Sequence, residues 1–261
     1  MADALRIERR EYKYLVDERT VDRLRALIAP FCVLDPYARS APRNRYTIES
    51  LYLDSPDLVL YRANLHEQID RYKLRVRRYP DAATSPYVLE VKRRYHDVQI
   101  KSRAMLGSDW ASVVSDPFVP TAVVRSSSNI ERFVTRVHAI GARPTLLVRY
   151  QREAWMSVVD DYARVTFDRR IEGYKVDPER WSFESDAGGW RACDDPTGTR
   201  QDTPGLTILE MKFTTRVPTW MVGVAEKLGL WRQSFSKYGR LVEAFWIPPD
   251  LRTPRFAGGF A

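Results

Sequence analysis

The sequence predicts an α+β fold built on antiparallel strands, and three observations predict it. Eight segments alternate chemically with a two-residue period, the mark of strands whose two faces differ. Four other segments carry apolar residues at helical spacing behind capping residues. The strands lack the helical crossovers that parallel pairing requires, which leaves an antiparallel sheet or barrel.

The strands fall at residues 6–16, 45–54, 70–79, 86–95, 98–106, 145–155, 162–170 and 206–214. After the first, Asp17 is placed to N-cap a helix with Val21, Leu24, Leu27, Ile28 and Phe31 on one stripe, before Pro36 forces an end. Asn129 is placed to cap a second, in which Ile130, Phe133, Val134 and Val137 share a stripe and Gly141 follows the end. Pro218 suits the first turn of a third helix, which runs through Trp220, Val224 and Leu228 to Gly229. Ser236 opens a fourth, carrying Leu241, Val242 and Phe245. Residues 177–205 are rich in Asp, Gly, Pro and Ser and read as a long connection. The expected organisation is one domain over residues 1–250 and a loose tail over 251–261.

At 261 residues with 44% hydrophobic and 12% aromatic residues, the chain can build a substantial core, so the disordered and fibrous classes drop out. No segment approaches the roughly 20 apolar residues of a membrane-spanning helix, and no apolar run follows Met1, so the expectation is a soluble, cytoplasmic protein with no membrane span. Cys32 and Cys193 are far apart and His66, His96 and His138 are scattered. A disulfide framework and a thiolate or histidine metal site are therefore improbable. The formal net charge of +8 favours anionic partners.

Where that charge sits is the decisive point. In 70–79 one face reads Arg71, Lys73, Arg75, Arg77 and the other Tyr72, Leu74, Val76; in 86–95 Val88, Glu90, Lys92, Arg94 oppose Tyr87, Leu89, Val91. Lys101 shares a face with Arg103, Glu210 with Lys212, Tyr150 with Arg152, Glu11 with Lys13, and Arg164 with Thr166 and Asp168. Each such face, taken alone, fits a solvated outer surface. Taken together, the cations are too dense for that, because side chains two apart on a strand lie about 7 Å from each other. At an effective dielectric near 20 each like-charged pair repels by about 2 kcal/mol. An anion would compensate such a face, with Arg suited to bidentate phosphate contacts and Lys to point-charge contacts. Glu11, Glu90 and Glu210 interrupt the field and are candidate ligands for Mg²⁺, which takes one or two carboxylates and fills its remaining positions with phosphate oxygens. Salt bridging to neighbouring arginines is the alternative, for Glu90 above all.

Nine fragments carry a resemblance: Arg10-Glu-Tyr-Lys-Tyr14, Ser50-Leu-Tyr-Leu-Asp-Ser-Pro-Asp57 with Tyr61, Lys73-Leu-Arg-Val-Arg-Arg-Tyr79, Leu89-Glu-Val-Lys92, Lys101-Ser-Arg103, Arg149-Tyr-Gln-Arg152, Arg164-Val-Thr-Phe-Asp168, Leu209-Glu-Met-Lys212 and Ser236-Lys-Tyr238. In this order, over residues 6–246, the chain resembles the VTC polyphosphate polymerase domain of the triphosphate tunnel metalloenzymes, the CYTH-like superfamily. The resemblance implies a closed eight-stranded antiparallel β-barrel, a tunnel, with helices packed outside. It implies phosphate binding by Lys13, Arg75, Arg77, Lys92, Lys101, Arg103, Tyr150, Arg152, Arg164, Lys212, Ser236 and Lys237, with Glu210 as the main metal ligand. Two departures stand out: Arg9 replaces the first glutamate of the family's Glu-x-Glu-x-Lys opening, and Ser234 stands where eukaryotic members carry a lysine.

The implied activity is ATP-dependent extension of polyphosphate, with Lys237, Arg75, Arg77 and Glu210 at the reacting phosphates and Mn²⁺ or Mg²⁺ as cofactor. A triphosphatase and a non-catalytic polyphosphate sensor are the alternatives. Nucleic acid is not expected as a partner, because few aromatics share the basic faces and a stacking platform is poorly supported.

Overall fold

The structure, a computed structural model, describes residues 9–96, 98–118, 121–160, 162–193 and 207–248. The first half of the chain forms β1 (Arg9–Val16), α1 (Glu18–Ile28), β2 (Cys32–Leu34), α2 (Pro36–Ser40), β3 (Tyr46–Asp54), α3 (Val59–Leu65), β4 (Asp70–Arg78), β5 (Tyr87–Tyr95) and β6 (Val98–Leu106). The second half forms α4 (Trp110–Ser115), α5 (Thr121–Arg125), α6 (Ser128–Ala139), β7 (Arg143–Ser157), β8 (Ala163–Lys175), β9 (Trp190–Ala192), β10 (Thr207–Thr214), α7 (Thr219–Lys227) and α8 (Lys237–Trp246). The expected tail at 251–261 lies outside the described residues, as does most of the end of the 177–205 connection; its described part contains β9.

All pairings are antiparallel, in the order β2-β7-β3-β4-β5-β6-β1-β10-β8-β9, and β7 also pairs with β8. The expectation of eight strands is corrected to ten: β2 and β9 are three-residue additions to the edges of β7 and β8. Closure into an even barrel is not shown. Most neighbouring strands share ladders of several residues, and among the described residues β1 meets β6 at Arg9 opposite Gln99, where the described part of β1 begins. The described residues form a curved antiparallel sheet.

The two faces of the sheet are filled differently. On the convex side, Val21, Leu24 and Ile28 of α1 and Met221 and Val224 of α7 pack on Tyr14, Phe167, Met211 and Phe213. Ile130, Phe133, Val134 and Val137 of α6 pack with α4 on Leu51, Leu74, Val76, Leu89 and Val91. These are the odd-even partners of the charged residues, so the alternation that hides one set in the core turns the other set inward.

The expectation that all helices lie outside fails for α8. Its Tyr238, Leu241 and Val242 cluster with Ile48, Tyr52, Leu146, Val148 and Ile208, which by register share the faces of Tyr150, Arg152 and Glu210. The helix therefore packs on the concave face and fills one end of it with apolar side chains. Gly173 permits the approach, since a Cβ there would lie 2.8 Å from Leu241 Cδ2.

Candidate anion-binding cavity

Twelve lysine and arginine side chains, against three acidic ones, line a cavity of about 370 Å³ on the concave face. A second cavity of about 500 Å³ adjoins it and shares Glu11, Lys13, Lys73, Lys92, Gln99 and Ser236. The ladders explain the convergence, because residues opposite one another lie on the same face. Lys73 stands opposite Lys92 and Lys92 opposite Lys101. One step along, Tyr52, Arg75, Glu90 and Arg103 stand in a row. Across the sheet, Glu11 faces Lys212 and Lys212 faces Arg164, while Lys13, Glu210 and Thr166 form the next row. Arg152 stands opposite Asp168.

The acidic groups are held anionic by the cations around them. Glu90 has no exposed surface: Oε2 accepts from Arg75 Nε at 2.6 Å, Oε1 accepts from Arg103 Nε at 2.8 Å and pairs with Lys101 Nζ at 2.6 Å, and Arg77 Nη1 lies 3.8 Å away. Burial alone would raise its pKa, but Arg75, Arg77, Lys101 and Arg103 hold it well below the usual carboxylate range. Glu210 is ringed by Lys212, Lys237 at 3.4 Å, Arg152 at 3.4 Å and Lys13 at 3.8 Å, which likewise overcome burial and depress its pKa. Asp168 accepts both Nε and Nη2 of Arg152 at 2.7 Å and pairs with Lys237 at 2.6 Å. Burial would raise Glu11 too, and Lys92 at 3.4 Å, Lys13 at 3.1 Å and Lys212 lower it far more.

Several of the lysines pay for the crowding. Desolvation, then Lys13, Lys92 and Arg75, push Lys73 well below its ordinary value. Desolvation and the arginines Arg75, Arg77 and Arg103 do the same to Lys101 despite Glu90. Lys92 and Lys212 are lowered as well, again chiefly by desolvation. Lys237 goes the other way, because Asp168 and Glu210 outweigh its burial.

All the phosphate-binding residues expected from sequence line this cavity: Lys13, Arg75, Arg77, Lys92, Lys101, Arg103, Tyr150, Arg152, Arg164, Lys212, Ser236 and Lys237. Glu11 and Glu210 line it too. Glu90 lies beneath it, with both oxygens engaged by Arg75, Arg103 and Lys101, the salt-bridging arrangement that the sequence left open as the alternative to metal ligation. Sequence reasoning passed over Lys73, whose Nζ donates to Ser236 Oγ at 2.8 Å, and Tyr52, whose hydroxyl accepts from Arg75 Nη1 at 3.0 Å. Lys73 had a signal, its place on the Arg75 face; Tyr52 had none beyond its strand.

Among the described residues no group of three or more His, Cys, Asp or Glu is arranged to hold a metal on its own. Hard divalent cations bound to phosphates need fewer protein ligands. Glu11 and Glu210 meet that smaller demand: one ammonium, Lys13, reaches both, lying 3.1 Å from Glu11 Oε1 and 3.8 Å from Glu210 Oε1.

The site is thus a curved antiparallel sheet that crowds cations onto its concave face. The model of the VTC domain family matches residues 8–246, and the chain belongs to that family. Among solved structures, a candidate adenylate cyclase of Bacillus halodurans is 10% identical with a TM-score of 0.49, covering 92% of this chain and 100% of its own. A candidate adenylate cyclase of Vibrio parahaemolyticus and the PH1819 protein of Pyrococcus horikoshii are each 12% identical with TM-scores of 0.45, covering 90% of this chain and 98% of theirs. No curated protein matches. No helix among the described residues is long and apolar enough to cross a membrane.

Proposed function

We propose that this chain is a phosphotransferase that moves the terminal phosphate of ATP onto a polyphosphate chain, with residues 1–250 acting as one domain around the basic cavity. The observation that carries the reading is the gathering of twelve cations from strands far apart in sequence around one cavity. After burial, which is the larger cause, their mutual repulsion lowers Lys73 and Lys101, and a multiply charged anion would relieve it beyond what the cavity's own carboxylates supply. A linear polyphosphate matches such a channel because its charge repeats along its length.

In this reading Lys13, Lys92, Lys101, Arg103 and Lys212 hold the chain, and Tyr150 and Ser236 donate to its oxygens. Arg75, Arg77, Arg152, Arg164 and Lys237 meet the charge that spreads over the transferred group in the transition state. The chain-end phosphate attacks in line, so no protein nucleophile is needed. Mn²⁺ or Mg²⁺ held by Glu210 and Glu11 would bridge phosphate oxygens and neutralise part of their charge.

The test is to incubate the purified protein with ATP and Mn²⁺ and resolve the products by gel. A ladder of long polyphosphate supports the reading; folded protein that makes none sinks the polymerase. Glu11, held anionic on the cavity wall and paired through Oε1 with Lys13, favours hydrolysis as a second reading, since its carboxylate is placed to orient a water. Phosphate released without chain growth would select it. Glu210→Gln that retains tripolyphosphate binding and loses turnover identifies an enzyme of either kind, whereas a wild-type protein that binds and turns nothing over is a sensor.

A further inference from the structure

The first turn of α8 carries Lys237 into the cavity, and the residue after it, about 100° further round the helix, enters a polar contact that the reaction does not use. Tyr238 donates its hydroxyl to Asp54 Oδ2 at 2.7 Å, and its ring stacks on Tyr52 with centroids 4.8 Å apart and planes 14° apart. Asp54 has no exposed surface. It also accepts the backbone N–H groups of Ser55 and Leu60 at 2.8 Å and of Tyr61 at 2.9 Å. A carboxylate this enclosed costs stability unless its hydrogen bonds are complete. Here they fix three things at once: the end of β3, the first turn of α3 and the first turn of α8.

We infer that Asp54 is a positioning residue, which through the Tyr238 hydroxyl sets where Lys237 stands against the bound phosphates. Lys237 is the neighbour of Tyr238 in a helix capped by Ser236, whose Oγ accepts from Gly239 N at 3.0 Å. A slip of Tyr238 therefore carries Lys237 with it. The Tyr52 ring, pressed on Tyr238, passes the same anchorage to Arg75 through its own hydroxyl. This inference rests on the proposed phosphate site and adds to it a device outside the cavity.

Tyr238→Phe removes the hydroxyl and keeps the stacking, and it is the milder of the two obvious variants; Asp54→Asn risks misfolding. Tripolyphosphate affinity is measured by calorimetry on the full chain in four proteins: wild type, Tyr238→Phe, Lys237→Met and the double variant. The expected result is a roughly tenfold loss for Tyr238→Phe in the wild-type background, with KM for ATP rising in step, and less than a twofold further loss when Lys237 is already Met. Equal losses in both backgrounds would mean a general structural effect and overturn the inference while leaving the site intact, and so would no loss in either. A wild-type protein that fails to bind tripolyphosphate overturns the phosphate site and the positioning role with it.

Discussion

Four cations converge on Glu90, which is buried beneath them. Removing one partner from a buried ion-pair cluster typically costs about 3–5 kcal/mol, because the charges left behind have no compensation. Glu90→Gln should therefore lower the thermal midpoint sharply, and added tripolyphosphate should restore more stability to the variant than to wild type; scanning calorimetry with and without the anion reads both. The lysines make a prediction of opposite sign in pH. Lys73 and Lys101 have folded pKa values well below the ordinary lysine value of 10.5, so between that lowered value and 10.5 the unfolded chain binds more protons than the folded one. Stability should rise with pH across that window. A bound phosphate raises these pKa values, so tripolyphosphate binding should take up protons, which calorimetry in buffers of different ionisation enthalpy measures directly. At this scale the sequence was informative about facing and silent about pairing. Alternation put Asp168 and Arg152 on strand faces, but their bidentate contact needs the β7–β8 register, which a bulge shifts between Arg149 and Gln151.

Among the elements, α8 shows what periodicity can and cannot specify. The stripe of Leu241, Val242 and Phe245 and the cap at Ser236 were legible, and the helix begins where they indicate. Which face of the sheet it meets was not, because an apolar stripe fits either side; the choice is made by Ile48, Leu146 and Ile208, apolar residues on an otherwise charged face. Gly173→Ala would drive a methyl group into Leu241 and push α8 off the β8 wall. Overpacking of this kind costs about 1–3 kcal/mol, and here it should also weaken tripolyphosphate binding, since Lys237 rides on the helix; the two effects are read by chemical denaturation and by titration. α3 went unseen because its N-terminal N–H groups are satisfied by Asp54, several residues upstream, and it enters through Leu58 at φ +56° rather than through a recognisable cap. The cap of α6 was misplaced by two residues, Ser127 serving in place of Asn129.

For the molecule as a whole, excess positive charge on a concave surface makes stability conditional on a guest. An anion present at 100 times its dissociation constant adds about 2.7 kcal/mol, so tripolyphosphate should raise the unfolding midpoint far more than an equal concentration of orthophosphate, by thermal melting. Salt should erode the difference, because exposed parts of the field are screened within about 8 Å at physiological ionic strength. The curved antiparallel layer was predictable at this scale because it follows from local alternation; ten strands were not, because β2 and β9 are three residues long and leave no period to count.

The three-residue strands β2 and β9 have a mechanical meaning. Among the described residues each is laced to the sheet along one margin only, β2 to β7 and β9 to β8, whereas β4 and β5 are laced on both sides. A stave fastened along one margin loosens first, so deuterium should enter the backbone of β2 and β9 sooner than that of β4 or β5.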